Sequence, residues 1–551
     1  MLIGTIMETI YFRDYRKDSD DGYNIYRLFA DLETKKDVRI VFDRDEYHAF
    51  PDYCPERCLY ISNHGWNGLK RIAVLLENME NVELDFSGST LITHDVMTHF
   101  ALLNCKNVTI RNLTIDNPST MFLQARVAAH GDGYVDLEKS IGKEKFKVNR
   151  HGELTIDYLE STFTVNTAIE YRHDTGEIEY GTNDFPFDDH FPNLRFEELG
   201  GDMLRVHGVK RYPPIGNMEI FYIYPRLGCG FFMEDSSDVY LENITVHGCL
   251  GMGVLAQTCH NVHLNNFNTL RHGDRHYTAN VDATHFVNCT GLIKVENCTF
   301  EGQLDDAINI HGMYARIEKV RGNEIFVREV HNQSKGIKIY RDGDKIQAVN
   351  VNSLIPYAEK TIKKAEYLNQ DMVRLVLCED ASDIKAGDNI ENASRNADLI
   401  FRNNIVRNNR ARGMLIATRG KTVIEDCYFH TSGSAILFES NGSYWFESGG
   451  TNDVTVQNNF FDHCKYTVWG VAVISCVPRV AIEEGKYFHK SIKINNNKFT
   501  TTFDYLIQFD NVESMSFKGN TVSAADGVSP KITLKHIKNS DVDGDIITER
   551  L

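Results

Sequence analysis

Residues 107–115 read NVTIRNLTI, and the figure they contain returns down the chain. Its grammar is apolar, any, apolar, any, Asn, any two, apolar. It recurs as Val239-Leu241-Asn243-Val246, Ile293-Val295-Asn297-Phe300, Leu399-Phe401-Asn403-Val406, Val454-Val456-Asn458-Phe461 and Ile492-Ile494-Asn496-Phe499. Weaker copies surround Asn266, Asp426 and Gly519. From 243 to 519 the marked positions stand 23, 31, 106, 23, 32, 38 and 23 residues apart. A floor of 23 suggests one minimal coil of a solenoid, and the larger gaps suggest coils that carry loops. The alternation has period two and is rich in Val, Ile and Phe, which favours strands over helices. The multiple Leu positions of a leucine-rich unit are missing. Asn tolerates left-handed backbone and can bond along a stack of its own kind. The fold class expected is therefore all-β, a right-handed parallel β-helix, with a self-similar β-sandwich as the weaker alternative.

Composition agrees with a folded globular chain. Of 551 residues, 42% are hydrophobic and 25% charged, and only 11 are Pro, too few for long disordered linkers. The formal net charge of −18, with no Lys/Arg block, argues against nucleic acid or an anionic membrane as partner. It also weighs against a polyanionic substrate. No apolar run is long enough to span a bilayer. The first residues, MLIGTIMETIYFRDYRKDSDDG, lack a basic stretch followed by an apolar core. The expectation is a cytoplasmic protein, or a secreted one if a leader is removed ahead of residue 1. Of 12 cysteines, only Cys54 and Cys58 are spaced like a zinc pair, and no second pair answers them. Cys298 and Cys427 each follow a repeat mark directly, as buried apolar fillers would.

The repeat is interrupted twice. Residues 1–117 read as a β-rich N-terminal cap with the first coils, and 118–227 as an inserted β-domain with Gly and Asp turns. Coils resume over 228–315. A second, β-barrel-like insertion spans 316–392, and the last coils run over 393–551.

The chemistry gathers in NVDATHFVNCTGLIKVENCTFEGQLDDAINIHG, residues 280–312. Asp282 precedes Asp305 by 23 residues and Asp306 by 24, one minimal coil. Coils advance by roughly 4.8 Å, the spacing of neighbouring strands. Asp282 should thus lie one rung from Asp305 or Asp306. A diagonal pairing of carboxyl tips would span roughly 6–9 Å, which overlaps the range of inverting glycosidases. Crowded carboxylates resist joint ionisation, so one is held protonated as a general acid and another is left as a base. Asp favours bends, but these sit beside apolar runs, and an adjacent pair on a strand requires a kink or opposite faces. Calcium is a rival reading of clustered acids, without a D-x-D-x-D-G loop to support it.

His285 and His311 flank the cluster and are candidates to bind sugar hydroxyls or tune the acid, and Asn309 adds a donor and an acceptor. SAILFESNGSYWFESGG (434–450) offers Glu439, Tyr444, Trp445 and Glu447, an aromatic face and carboxylates suited to a sugar. Equally, Trp445 and Phe446 could only pin a loop to the core. Arg410 and Arg412 head a coil, either solvated or orienting a carboxylate. The glycines of GMGVLAQ (251–257) suit close packing of coils. No Walker motif, dinucleotide fingerprint or G-x-S-x-G stands out.

DATHFVNC (282–289) with LDDAINIHG (304–312) resembles glycoside hydrolase family 110, exo-acting α-1,3-galactosidases built on a parallel β-helix with inserted β-domains. RCLYISNHGWNGLKRIAVLLENMENVELDFSG (57–88), HFALLNCKNVTIRNLTIDNP (99–118), KTVIEDCYFHTSGSAILFES (421–440) and YWFESG (444–449) extend the likeness over most of the chain. The resemblance implies inverting hydrolysis of a terminal α-1,3-linked galactose, blood-group-B-like or linear, with no cofactor and no metal. It implies Asp282, Asp305 and Asp306 as the acid/base set, with Asp305 or Asp306 as acid and Asp282 assisting as base. Expected substrate contacts are His285, Asn309, His311, Glu439, Trp445, Glu447 and Arg410. The exposed flanks of such a solenoid also make a homodimer an expectation. Two alternatives remain at this point: a polygalacturonase-like depolymerase of acidic polysaccharide, which wants a basic groove, and a non-catalytic β-helical carbohydrate-binding protein, which has no use for crowded acids. Exo action requires a blocked groove, and one insertion is expected to line the sugar pocket.

Overall fold

The computed structural model describes residues 7–32, 35–43, 46–65, 67–118, 121–158, 161–188, 190–544 and 549–550. Its body is a parallel β-helix of three ladders. The first ladder stacks Thr98–Leu103, Phe231–Glu234, Val254–Gln257, Thr284–Val287, the start of Ile308–Arg321, Met414–Ala417 and Ile436–Leu437. In the second, Val108, Val239, Val262, Ile293 and Leu399 stand in register on successive coils. The third carries Phe300, Val406, Phe429, Phe461 and Phe499 inward. Its rings stack through the core at 5.1 Å for Phe429–Phe461 and 4.8 Å for Phe461–Phe499.

The repeat mark is the corner between the second and third ladders. Asn112, Asn243, Asn266, Asn297, Asn403, Asp426, Asn458, Asn496 and Gly519 all turn there with φ between 54° and 62°. Most side chains do not accept this left-handed conformation, whereas Asn and Gly do. The Asn266 amide donates to Asn243 at 3.0 Å, and Asn243 donates to Asn112 at 3.2 Å. Just inside the corner Cys298 and Cys427 are buried and unpaired as thiols, in the place filled elsewhere by Asn404, Asn459, Asn497 and Asn520. Cys54 is buried and Cys58 exposed, with no bond between them.

The cap over the N-terminal end of the core differs from a purely β reading. Its strands Glu8–Tyr11, Val38–Val41 and Glu46–Ala49 are joined by an α-helix, Asp21–Asp31. The Asp20 carboxylate accepts from the Tyr23 amide at the helix start, and Ile25, Leu28 and Phe29 are buried beneath it. The spacing of those apolar residues was readable, but one short helix among strands was outweighed by its neighbours.

The first interruption forms a six-stranded antiparallel sheet from Phe122–Gly131 to Met218–Tyr222, with its own core, and a three-stranded sheet beside it. The second is a closed barrel. Ile308–Arg321 pairs with Glu324–Arg328 and with Asn389–Asn392, and the ring is completed through Met372–Leu377, Pro356–Tyr367 and Lys345–Val349. The strand that enters this barrel begins in the β-helix, so the barrel continues directly from the coil that bears Asn309 and His311.

Candidate active site

The acids stand at the corner between the third and first ladders. Thr284 pairs with Ile308 and Ile308 with Met414. Two residues earlier, the same register stacks Asp282, Asp306 and Arg412. The Ala283 amide donates to the Asp306 carbonyl at 2.9 Å, and the Asp306 amide donates to Asp282 Oδ1 at 3.2 Å. All three acids lie in irregular backbone just before a strand, and the bend at Asp305 supplies the kink an adjacent Asp pair needs. Small residues follow them. Gly253, Ala283, Ala307 and Gly413 stack here, and a Cβ on Gly253 would come within 2.6 Å of the Ala283 carbonyl oxygen. Carboxylate oxygens of Asp282, Asp305 and Asp306 come within 4.8 Å of one another. That is tighter than the diagonal spacing expected from the sequence, because Asp282 sits directly over Asp306.

Counter-charges divide the acids. Arg412 closes on both oxygens of Asp306, Nε to Oδ1 and Nη2 to Oδ2, each at 2.9 Å, and its backbone amide adds a third bond at 3.1 Å. Asp305 Oδ1 accepts from Arg410 at 3.2 Å, with Arg226 4.0 Å from Oδ2. No guanidinium contacts Asp282 among the described residues; burial, then the nearby Asp305, push its carboxyl up to about 8. Burial raises Asp306 to about 8 as well, with Arg412 working against it. A bidentate guanidinium favours the ionised form of Asp306, so of the two raised acids Asp282 is the better placed to hold a proton. Arg412 and Arg410 occupy oxygens that a bound cation would need.

Behind Asp282 runs a line of imidazoles. Asp282 Oδ2 lies 2.6 Å from His285 Nδ1, and His285 Nε2 lies 2.8 Å from His311 Nε2. Glu447 reaches His311 because Glu447–Ser448 pairs antiparallel with Gly312–Met313. The Asn63 amide donates to Glu447 at 3.1 Å. Burial opposes the charge on Glu447, but His311, His285, Asn63 and Arg412 hold it below the usual carboxylate range.

Comparison with known proteins matches this chain in two parts. Residues 324–390 fit the family described as GLAA-B beta-barrel domain II, and residues 386–549 fit a right handed beta helix region. Alpha-1,3-galactosidase B of Phocaeicola vulgatus is 31% identical over 514 residues, covering 88% of this chain and 84% of that protein. The chain belongs to glycoside hydrolase family 110, the α-1,3-galactosidases. Alpha-1,3-galactosidase B of Akkermansia muciniphila is 31% identical over 87% of this chain, which spans 61% of that longer protein. Alpha-1,3-galactosidase A of Shewanella woodyi is 28% identical over 88% of this chain and 80% of its own length.

In this family 110 chain the acids open onto a cavity of roughly 390 Å³, within the range of small-molecule clefts. Asp282, Asp305, Asp306, His285, Asn309, Glu439, Trp445 and Glu447 all line it. His311 and Arg410 do not. His311 sits behind His285. Arg410 is clamped by Asp184 of the first insertion at 2.7 and 2.8 Å and carries that restraint to Asp305. The 438–447 loop does two jobs. Asn441 Oδ1 accepts from the amides of Ser443, Tyr444 and Trp445, while Phe446 turns with φ 57° and is buried against Tyr314 and Leu354. Trp445 is left 37% exposed at the rim, with His331 of the barrel 4.9 Å behind it. Burial raises the Glu439 carboxyl, and neither it nor Arg479 forms a hydrogen bond or ion pair among the described residues. The sequence reading did not select Asn63, Arg226, Leu415, Ser440, Asn441 or Arg479, which also line the cavity. Asn63 comes from the cap, Arg226 from the exit of the first insertion and Arg479 from a late loop, and no local pattern marks them. Arg412 was visible as the head of a coil, but its partner became clear only from the register.

Proposed function

We propose that this glycoside hydrolase is an exo-acting enzyme that removes terminal α-1,3-linked galactose from glycan ends with inversion at the anomeric carbon. The observation that carries the reading is the stack of Asp282 on Asp306, with Asp305 beside them at the floor of a polar cavity, so crowded that protonated and ionised carboxyls must coexist. Protonation of the leaving oxygen and activation of water both require this mixed state. Asp282 and Asp305 are the pair able to exchange the proton. Asp306, held by Arg412 at both oxygens, maintains negative charge beside the cationic centre that develops at the anomeric carbon. Glu439 and Arg479 stand ready for sugar hydroxyls, and Trp445 offers a face to the ring. Arg226 from the first insertion and the barrel-backed Trp445 narrow the cleft, which favours a chain end over an internal bond. The names of the relatives supply the linkage.

The test is the anomer released first. Incubation with an α-1,3-galactosyl disaccharide, followed by proton NMR, should show β-galactose before mutarotation. Retention is the second reading, favoured by acid oxygens within 4.8 Å of each other, and initial α-galactose would establish it. Asp305 and Asp306 already lie against guanidinium groups, which suits charge stabilisation better than attack on carbon. Variants at Asp282 and Asp305 divide the roles. Loss of the acid is spared when the leaving group is an activated phenol, and loss of the base is rescued by azide. A substrate with a fucosylated branch beside the galactose, compared with the linear one, defines tolerance at the rim.

A further inference from the structure

The two imidazoles behind Asp282 have a forced hydrogen-bond order. His311 Nδ1 lies 2.6 Å from the Gly312 carbonyl oxygen, which can only accept, so Nδ1 carries a hydrogen. If His311 is neutral, its Nε2 is an acceptor, and His285 Nε2 must donate to it across 2.8 Å. His285 Nδ1 is then an acceptor, and the hydrogen in the 2.6 Å contact belongs to Asp282. A second arrangement uses the same atoms. One proton passes from Asp282 Oδ2 to His285 Nδ1, and another passes from His285 Nε2 to His311 Nε2. Asp282 is left ionised, His285 is neutral as before, and His311 becomes an imidazolium with Glu447 Oε1 3.6 Å from its Nε2. Both arrangements satisfy every hydrogen bond along the line, and the net change is one proton moved from Asp282 to His311.

We infer that His311 is a proton store for the active site, loaded from Asp282 through His285 and balanced by Glu447, whose position is fixed by Asn63. The inference rests on the acid/base reading of Asp282 and adds a destination for its proton. An inverting site begins each turnover with one acid loaded and another unloaded. After the reaction the proton is on the wrong carboxyl, and a store beside Asp282 lets the site reset without opening the buried acids to solvent. His311 does not line the cavity, so its role is positioning, exerted through His285. Other charged groups face this line. Arg226 disfavours positive charge on His285 while Glu447 and Asp305 favour it, and Asp305 opposes ionisation of Asp282 while Arg226, Arg412 and the Asp306 amide favour it. His64 of the cap stands near His285, and His331 of the barrel near Glu447. Burial, then His311, hold His285 well below the usual range, which suits a carrier that stays neutral at either end of the transfer.

Two measurements on the full chain test this. In protein labelled with ¹⁵N-histidine, the Nε2 resonance of His311 should change when Asp282→Asn removes the exchangeable proton; an identical resonance in both proteins overturns the inference. This arm needs no turnover, so it stands whatever sugar the enzyme takes. In kinetics, His311→Gln should lower kcat roughly 10- to 100-fold, as loss of a residue that orients a working group does elsewhere, with KM within about twofold. The alkaline limb of its pH–rate profile should move to lower pH, because one of two proton-bearing arrangements is gone. Glu447→Gln should act in the same direction, and the double variant should be no worse than His311→Gln alone, since the two act in one line. An unmoved pH profile in His311→Gln, or additive losses in the double variant, overturns the inference.

Discussion

Two corners of the same coils are built in opposite ways. At one, Asn112, Asn243 and Asn266 repeat a single neutral side chain, and each amide satisfies the next. At the other, the same stacking sets Asp282 on Asp306 and Asp306 under Arg412, groups of unlike charge in the same register. A ladder of identical amides is self-sufficient, and any rung resembles any other. A ladder of charges is satisfied only by its particular order, with a proton on Asp282 and a guanidinium on Asp306. The first corner therefore contributes stability, and the second holds unfavourable charge in place for chemistry.

Breaking the charged corner has the largest expected effect. Asp306→Ala or Asp282→Asn should lower kcat on an α-galactoside by about 10²–10⁴-fold, the span of a lost acid/base group. The folded state should survive Asp282→Asn, because the amide keeps the shape of the carboxyl. Retention of near wild-type kcat in either variant removes that residue from the mechanism.

The same variant sharpens the contrast through pH. Asp282 is raised to about 8 in the folded protein, against about 3.9 when unfolded. A raised carboxyl contributes stability below the unfolded value, and that contribution is lost as pH rises through the folded one. Wild type should therefore lose stability relative to Asp282→Asn between pH 4 and 8, by up to about 1.4 kcal/mol per pH unit, and the gap should be constant above pH 8. Thermal melts of both proteins across this range measure it. A gap independent of pH would mean that Asp282 is ionised in the fold and that the proton lies elsewhere.

At the amide corner the effect reverses in kind. Asn243→Ala keeps φ near 54° without a side chain suited to it, and severs two rungs of the ladder. The loss should be about 1–3 kcal/mol of stability, with kcat unchanged, and Asn243→Gly should cost less. Denaturant melts beside kinetics separate the two corners: a fall in kcat without a fall in stability would show that the amide ladder is part of the site.

The amide corner was legible because it repeats. Nine marks, seven Asn with one Asp and one Gly, announce a bend, and a 23-residue floor announces the coil. The charged corner was legible only where it shares that period, which is why the spacing alone groups Asp282, Asp305 and Asp306. Their fine geometry was not. The sequence offers both 23 and 24 residues as the offset, and only the ladder pairing of Thr284 with Ile308 selects Asp306 as the partner of Asp282 and brings the acids closer than a diagonal would. Arg226, Asn63 and Arg479 reach the cavity from segments with no period in common with it, so no spacing rule points to them. His311 was grouped with the acids as a contact for sugar hydroxyls or a group tuning the acid, and only the chain of hydrogen bonds places it behind the cavity instead of in it. The helix at Asp21–Asp31 escaped for the opposite reason: its pattern was present, but too short to stand against the strands around it.

The smallest effect belongs to the rim, which follows neither corner. Trp445 stands on a loop fixed by Asn441 below and by buried Phe446 beside it, so its removal leaves the loop's anchors intact. Trp445→Ala should raise KM several-fold, about 1 kcal/mol for one lost aromatic contact, while kcat and melting temperature remain near wild type. The substrate used decides what the ring touches. If Trp445 covers the galactose itself, KM rises equally for an aryl galactoside and for the natural disaccharide. If it covers the sugar that is left behind, only the disaccharide is affected, because the aryl compound has no second sugar to lose. An unchanged KM for both would reduce Trp445 to a cover over His331 and leave Glu439 and Arg479 as the groups that choose the substrate.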